Sequence, residues 1–530
     1  MNRSDRPVRW ITLGGLALIF LLACHRLSGH APQAEQAPAT QFSASRAMTI
    51  LRRILGDEQL PHPVGSSANE AVRTRLIAEL ESLGLEPEQQ PVVVKGIPVV
   101  NVLTRLTNAS LTGRPLLLVT HYDSAPRAPG AGDSGSGVAA LLETARALLH
   151  APEQHQHPIY LLFTDGEEAG LLGAQGFVRE HPLGKQQPMV LNFDARGTSG
   201  ASLMYETPLK NLRLVQQVVQ HLPRPVITSS AFVAVYRRMP NGSDFTIFLQ
   251  HGCPGLNFAF IGDVRNYHQP GDRMEALDLR SLQHHGDNAL AMARYLSTIE
   301  WDSLDAEEDA VFGDVLGMFI LAYPQSWALA LSLIPLTLIG FRGGRRWIDP
   351  VFWRQGMRSL LAILGSVSTL LAFGVAIAFA FRTLTIAVPW DQYSVACFVA
   401  YWAVAITISH AIVSRWLALM SGEDIGHWCW FWFAMGGVIM AWAVPGASLY
   451  FLWPATAAGI CGLLPMSAPL RNAAAVFAAG VILIPTLMLL DTAIRAVAPQ
   501  VLLPLHGMAL IPLYPLFAQK SPRARQRHAA

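Results

Sequence analysis

An α/β domain with a mixed, mostly parallel sheet sandwiched by helices, followed by an all-α multi-span transmembrane domain, is predicted by three features of this 530-residue sequence. Acidic residues are unevenly spread: only five of the 37 (Asp349, Asp391, Glu423, Asp424 and Asp491) lie beyond Leu321. Over roughly the first 300 residues, short apolar runs alternate with longer helical patterns. Thereafter come repeated apolar segments, several near the roughly 20 residues that cross a bilayer.

The runs 116–120, 159–164, 189–193 and 255–260 are short enough to be buried strands. Helical patterns cover 137–149, 209–221 and 279–299. Earlier, Ser67 and Glu70 form a capping box ahead of a helix with apolar positions Val72, Leu76, Leu80 and Leu83, ending at Gly84. Strands alternating with helices predict a sheet covered on both faces, with ligands gathering beyond the carboxyl ends of its strands. This domain is expected over 43–300.

Residues 1–24 are expected to form a signal anchor, because Arg3, Arg6 and Arg9 precede an apolar run from Trp10 to Cys24. The segment Leu21-Leu22-Ala23-Cys24 resembles a lipoprotein cleavage box, so cleavage and lipidation of Cys24 stand as alternatives. Residues 25–42, rich in Ala, Pro and Gln, and 301–320 are expected as linkers. A membrane domain over 321–518 is expected to hold about seven helices, at 321–341, 359–381, 393–413, 428–444, 447–465, 473–491 and 501–518, before a basic tail at 519–530.

Arg342, Arg345, Arg346, Arg354 and Arg358 share one loop, Arg471 lies in another, and Lys520, Arg523, Arg525 and Arg527 are in the tail. If the spans alternate, all lie on the side of Arg3, Arg6 and Arg9, so the positive-inside rule puts the 43–300 domain outside the cytoplasm. An alanine- and arginine-rich composition with short loops favours the periplasmic side of a bacterial inner membrane, with a vacuolar or endoplasmic reticulum lumen the eukaryotic counterpart. A net charge of +2, with arginines beside apolar segments, gives no footprint for nucleic acid. Only Cys253 of the five cysteines falls inside the domain, which excludes an internal disulfide there. The sequence leaves the oligomeric state open.

The chemistry collects at the predicted strand ends. His121 follows the first run in Thr-His-Tyr-Asp-Ser, and Asp123 is positioned to fix its tautomer as an outer carboxylate. Asp133 lies in Gly-Asp-Ser-Gly-Ser-Gly-Val, where glycines allow tight turning; it reads as a helix cap or as a carboxylate bridging two cations. Glu167 and Glu168 follow the second run, and adjacent buried carboxylates are costly unless a cation or a proton holds them. A division of labour follows, with Glu168 on metal and Glu167 as general base. Asp194 ends the third run and His268 follows the fourth, completing a two-metal hydrolase set of His121, Asp133, Glu168, Asp194 and His268.

With these residues in view, the chain resembles the M28 family of zinc exopeptidases, in particular its membrane-embedded branch related to vacuolar membrane protease and endoplasmic reticulum metallopeptidase. The motifs run from His62 to Ile299: His-Pro-Val-Gly-Ser-Ser-Ala-Asn-Glu, Thr-His-Tyr-Asp-Ser, Gly-Asp-Ser-Gly-Ser-Gly-Val, Asp-Gly-Glu-Glu-Ala-Gly-Leu-Leu-Gly, Tyr-Arg-Arg-Met-Pro-Asn, Ser-Asp-Phe-Thr and Tyr-His-Gln-Pro-Gly-Asp. The resemblance implies the zinc exopeptidase fold and two zinc ions. One is held by His121 and Asp194 and the other by Glu168 and His268, with Asp133 bridging and Glu167 as base. It implies Tyr267 as a donor to the tetrahedral intermediate. Arg237, Arg238, Asn241, Ser243 and Asp244 are candidate pocket residues. Relatives in this branch often carry glutamate where Asp194 stands, which bears on geometry more than on zinc binding. The implied activity is hydrolysis of peptides, at the amino end in most relatives, by a zinc-bound hydroxide and the glutamate base. A glutaminyl-cyclase-like enzyme using a single zinc, or a non-catalytic receptor on the same fold, is the alternative. The first conflicts with the presence of His121 and Asp194, the second with the full complement of ligands and base.

Overall fold

The computed structural model describes residues 5–107, 113–151, 155–239, 242–383, 394–494 and 499–517. These form two compact units, one of Arg26–Ala322 and one that combines the N-terminal helix with everything from Tyr323 onward. The helices in chain order are α1 (Asp5–Arg26), α2 (Ala44–Leu55), α3 (Ser67–Ser82), α4 (Gly137–Leu149), α5 (Leu172–Glu180), α6 (Leu212–Gln217), α7 (Ser230–Tyr236), α8 (Asp244–Gln250) and α9 (Leu279–Thr298). They continue with α10 (Ala328–Gly343), α11 (Pro350–Thr383), α12 (Ser394–Trp416), α13 (Gly422–Ala443), α14 (Leu449–Leu463), α15 (Ala468–Ile494), α16 (Pro499–Leu510) and α17 (Tyr514–Phe517).

The strands are β1 (Glu88–Val94), β2 (Ile97–Arg105), β3 (Leu116–His121), β4 (Ile159–Thr164), β5 (Met189–Ala195), β6 (Leu203–Glu206), β7 (Gly255–Phe260), β8 (Ala310–Val315) and β9 (Phe319–Pro324). The first seven make one sheet in the order β1-β2-β4-β3-β5-β7-β6. Its centre, β4-β3-β5-β7, is parallel, and β1, β2 and β6 pair antiparallel at the two sides. The four central strands are the four apolar runs, as their composition predicts for strands buried on both faces. Alternation then sorts the side chains: Leu116, Leu118, Leu191 and Phe193 join the core under α2, α4 and α9, while Leu117, Val119 and Val190 pack with Phe177, Phe245 and Phe248 of α5 and α8. The fold is therefore a mixed, mostly parallel sheet between helices.

Several elements differ from expectation. The three antiparallel strands lack the long apolar runs of the central four; β1 opens on Glu88, Gln89 and Gln90, exposed or half-buried. The cap of α3 is Ser66, whose hydroxyl accepts from the Asn69 N–H, rather than Ser67. The helix expected at 209–221 is confined to α6 and a separate tight turn at Val219–His221. Neither expected linker is one. In 25–42, Phe42 is buried and Arg26 pairs with Asp314 through two nitrogens. In 301–320, Trp301 is buried, and β8 pairs with β9.

In the other unit, four helical segments among the described residues are long and apolar enough to cross a membrane: 325–348, 350–383, 396–416 and 468–492. The span expected from 321 starts later because β9 holds the chain extended to Pro324. That expected from 428 starts earlier, at Gly422, where Ser421 caps α13 by accepting from the Asp424 N–H. The expected span 501–518 breaks at a tight turn, Ile511–Leu513, that contains Pro512. The N-terminal helix packs on α15: a Cβ at Gly15 would lie 2.9 Å from the Phe477 ring, and one at Gly480 2.8 Å from Leu16. The tail at 519–530 lies outside the described residues.

Candidate active site

The parallel arrangement brings His121 at the end of β3, Thr164 at the end of β4 and Asp194 near the end of β5 to one edge of the sheet. Asp133 arrives on the connection between β3 and α4, Glu167 and Glu168 on that between β4 and α5, and His268 on that between β7 and α9. Two groups result, His121 with Asp133 and Asp194, and Asp133 with Glu168 and His268, the candidate ligand atoms of each lying within 4.8 Å of one another. Asp133 belongs to both. Its Oδ1 is 3.1 Å from His121 Nε2 and its Oδ2 is 3.2 Å from His268 Nε2. His121 Nε2 is also 3.5 Å from Asp194 Oδ1, and His268 Nε2 is 3.0 Å from Glu168 Oε1.

The glycines around Asp133 make this possible. Gly130 has a φ of 73°, and a Cβ at Gly132 would lie 2.9 Å from Asp272 Oδ1. The Asp133 carboxylate does not cap α4, which starts without a side-chain cap bond; it faces the two histidines instead. Donor chemistry fits zinc: two imidazole nitrogens and three carboxylates, one of them shared. Glu168 Oε1 is buried and, although close to His268 Nε2, accepts no aligned hydrogen bond. Lone pairs directed at a common point, rather than at a shared proton, leave an oxygen in that condition.

Asp123 faces the imidazole, as expected, and has a second role. His121 Nδ1 is 3.0 Å from the Asp123 carbonyl oxygen and 3.4 Å from its carboxylate. The carboxylate also accepts the backbone N–H of Glu167 at 3.0 Å and of Glu168 at 3.2 Å. It thereby ties the β4 connection to the β3 end. Asp272 makes a second clamp of this kind, accepting from Gly132 N at 2.6 Å and Asp133 N at 3.2 Å. Sequence reasoning missed its role, although it closes the Tyr-His-Gln-Pro-Gly-Asp motif.

The protein's own charges hold protons here. Burial raises the Glu167 carboxyl well above its ordinary value; nearby His121 opposes this, and the charges of Asp194, Asp244 and Asp133 reinforce it. Burial and the Asp133 charge push Glu168 up to about 7. Burial likewise raises Asp194, against its hydrogen bond to His121. For His268, burial is outweighed by Asp133 and Glu168, which raise it to about 10, and for His121 by Asp123, Asp133 and Asp194, which push it well up. Asp133 alone moves down, because its hydrogen bonds to both histidines overcome burial. Protons on these groups are what a bound cation would displace.

Tyr267 stacks on the His268 ring at 3.7 Å, with the Arg196 guanidinium 5.7 Å from its centroid. Burial and the surrounding carboxylates keep its phenol protonated and able to donate. Of the pocket candidates, Ser243 caps α8 and accepts from Asn257 Nδ2 at 2.8 Å. Asp244 is buried, accepts from the Thr164 hydroxyl, and keeps Oδ1 without a partner. Arg237 is engaged by the carbonyls of Thr207 and Pro208 at 2.9 and 2.6 Å, and Arg238 by that of Ala234 at 2.6 Å. Asn241 lies outside the described residues. Also missed was the buried Asn257 hub, whose Nδ2 approaches Tyr205, Glu206 and Ser243.

Residues 101–293 match the model of peptidase family M28. The chain carries an M28 peptidase domain. It is 30% identical over 259 residues to endoplasmic reticulum metallopeptidase 1 of Rattus norvegicus, covering 48% of this chain and 29% of the relative. It is 28% identical over 468 residues to putative endoplasmic reticulum metallopeptidase 1-B of Caenorhabditis elegans, covering 79% and 51%. With vacuolar membrane protease of Candida albicans the identity is 30% over 291 residues, covering 52% and 33%. The chain thus spans under a third of the rat relative's length and about half of the nematode's. Among solved structures, a zinc aminopeptidase from Bacillus subtilis aligns with a TM-score of 0.39 at 16% identity, covering 51% of this chain and 99% of that one. A glutaminyl cyclase from Porphyromonas gingivalis aligns with a TM-score of 0.39 at 21% identity, covering 48% and 99%.

Proposed function

We propose that this M28 domain is a membrane-anchored di-zinc exopeptidase that removes residues from the amino end of peptides outside the cytoplasm. The observation that carries the reading is the shared Asp133, with one carboxylate oxygen toward each ligand group. His121 and Asp194 would hold one zinc, and Glu168 and His268 the other. Zinc bound there supplies Lewis acidity and lowers the pKa of its water to about 7.

The chain's own groups do the rest. Glu167, fixed by its N–H on Asp123 and held high in pKa by burial, takes the proton of the attacking water and returns it to the departing nitrogen. Tyr267 donates its hydroxyl to the oxygen that gains charge on the scissile carbonyl. Charge favours the amino end. Asp123, Asp133, Glu167, Glu168, Asp194 and Asp244 bring six carboxylates, more than two divalent ions neutralise, so an ammonium is better accommodated than a carboxylate. The basic clusters at the ends of the apolar helices support a multi-pass chain with this domain on the opposite side of the membrane.

The test is purified protein assayed on free and N-blocked peptides, with and without chelator, beside Glu167→Gln and with zinc counted per chain. The reading predicts two ions, cleavage of free amino ends only, loss of activity on chelation, and a Glu167→Gln variant that keeps zinc while kcat falls about 10²–10⁴-fold. Full activity after verified metal removal would overturn it, and one ion per chain would favour the cyclase-like alternative.

A further inference from the structure

The arginines near the start of α11 fall into two classes. Three are paired: Arg342 and Arg471 donate to Glu423 Oε1 at 3.1 and 2.9 Å, and Arg346 donates to Asp424. Three others, Arg345, Arg354 and Arg358, are exposed, and no acidic partner is recorded for them among the described residues. The only other carboxylate of this loop, Asp349, accepts the Val351 N–H. Positive charge is therefore left over at this end of the helices.

The residues around the surplus are apolar and equally exposed. Phe341 is 80% exposed, Ile348 84% and Trp353 44%. The platform is held in shape by its tryptophans: Trp347 Nε1 donates to the Gly340 carbonyl at 2.6 Å, and Trp353 Nε1 to that of Trp347 at 2.8 Å. Arg354 and Arg358 are one turn apart on the same face of α11. Leu361 shares that face, and Leu364 and Leu371, about 80–100° around the helix from Arg354, continue its exposed apolar surface; the three are exposed by 46%, 52% and 47%. At 1.5 Å per residue, Leu361 lies about 10 Å along the helix from Arg354.

A phospholipid has the same pattern, an anionic phosphate at one end and hydrocarbon running away from it. We propose that this face of α11 binds an anionic phospholipid, with the phosphate held by Arg354 and Arg358 and reached by Arg345, and the acyl chains along Leu361, Leu364 and Leu371. An acidic protein would meet the same charges, but it would not be complemented by a leucine stripe on a helix long and apolar enough to cross a bilayer. The proposal rests on α11 crossing the membrane, which retention of the protein in carbonate-washed membranes tests separately.

The experiment is native mass spectrometry of the full chain in non-ionic detergent, titrated with phosphatidylglycerol or phosphatidylcholine, for wild type, an R345Q/R354Q/R358Q variant and its all-lysine counterpart. Wild type is expected to retain phosphatidylglycerol in preference to phosphatidylcholine. The glutamine variant should lose about a hundredfold in that affinity, the effect expected of three interfacial cations, and the lysine variant should keep most of it. Wild type that binds the two lipids equally overturns the proposal whether or not the variants fold. So does a glutamine variant with unchanged preference, or displacement of the lipid by millimolar inorganic phosphate.

Discussion

Replacing Asp272 by Asn tests whether a side chain outside the ligand set governs metal binding. The carboxylate receives two main-chain N–H groups, from Gly132 at 2.6 Å and Asp133 at 3.2 Å, on the loop that carries the shared ligand. Asparagine keeps the volume but offers one acceptor oxygen, so its amino group must meet one of the two N–H donors. Loss of a charge-assisted bond costs about 1.5–3 kcal/mol, and the opposed donors add to it. Because Asp133 serves both groups, the cost would fall on both of the proposed ions, and a change of this kind in an outer partner weakens metal affinity by about 10–100-fold. Zinc affinity is measured by competition with a chromophoric chelator, alongside circular dichroism of the metal-free protein to confirm the fold. Unchanged affinity in a folded Asp272→Asn variant refutes the clamp.

Three further predictions follow from single contacts. Tyr267→Phe removes the proposed donor while leaving the ring on His268, so kcat should fall about 10²-fold with KM held, and an unchanged kcat assigns Tyr267 to packing alone. Burial pushes Glu206 up to about 7, against its Asn257 hydrogen bond and the Arg237 charge. The folded state therefore binds the proton more tightly than the unfolded chain, and the stability this gives is complete below about pH 4 and lost as pH rises through about 7. Between pH 5 and 8 wild type should lose about 3 kcal/mol at this position and Glu206→Gln none; a thermal-unfolding gap that does not change with pH contradicts this. Arg26→Ala leaves Asp314 buried without its partner and should destabilise the Arg26–Ala322 unit by about 3–5 kcal/mol, read as its unfolding temperature, with wild-type stability the refuting result.

The central strands and the gathering of the candidate ligands were legible because each rests on a local signal. A strand buried on both faces must be a short continuous apolar run, and His121, Glu167 and Asp194 follow such runs within three residues. The edge strands were not legible, since β1 is half solvated and its pairing with β2 depends on a turn at Lys95 and Gly96, both with positive φ, rather than on hydrophobicity. The folded character of 25–42 was hidden for another reason. Arg26 reads as a solvent-exposed charge until Asp314, 288 residues away, is placed against it. The same holds for the second role of Asp123: its spacing from His121 pointed to the imidazole, which it faces, but the two main-chain N–H groups its carboxylate also takes lie more than 40 residues on. Long-range bonds to backbone leave no trace in residue pattern.

Those two acids explain how three separate connections behave as one site. The candidate ligands arrive on the loops after β3, β4 and β7, and each loop left alone would retain conformational freedom that costs about 1–2 kcal/mol per residue to remove. Asp123 fastens the β4 loop to the end of β3, at Glu167 and Glu168 together. Asp272 fastens the loop after β7 to the loop after β3, at Asp133. Asp194 needs no such tie, because it is still within β5 when it reaches the site and its own Oδ1 accepts the Ala195 N–H at 2.7 Å. Both clamps thus converge on the connection that holds Asp133, the one residue common to the two groups. Displacing that connection moves both ligand groups at once, which is why a carboxylate touching neither metal position is expected to control the affinity of both.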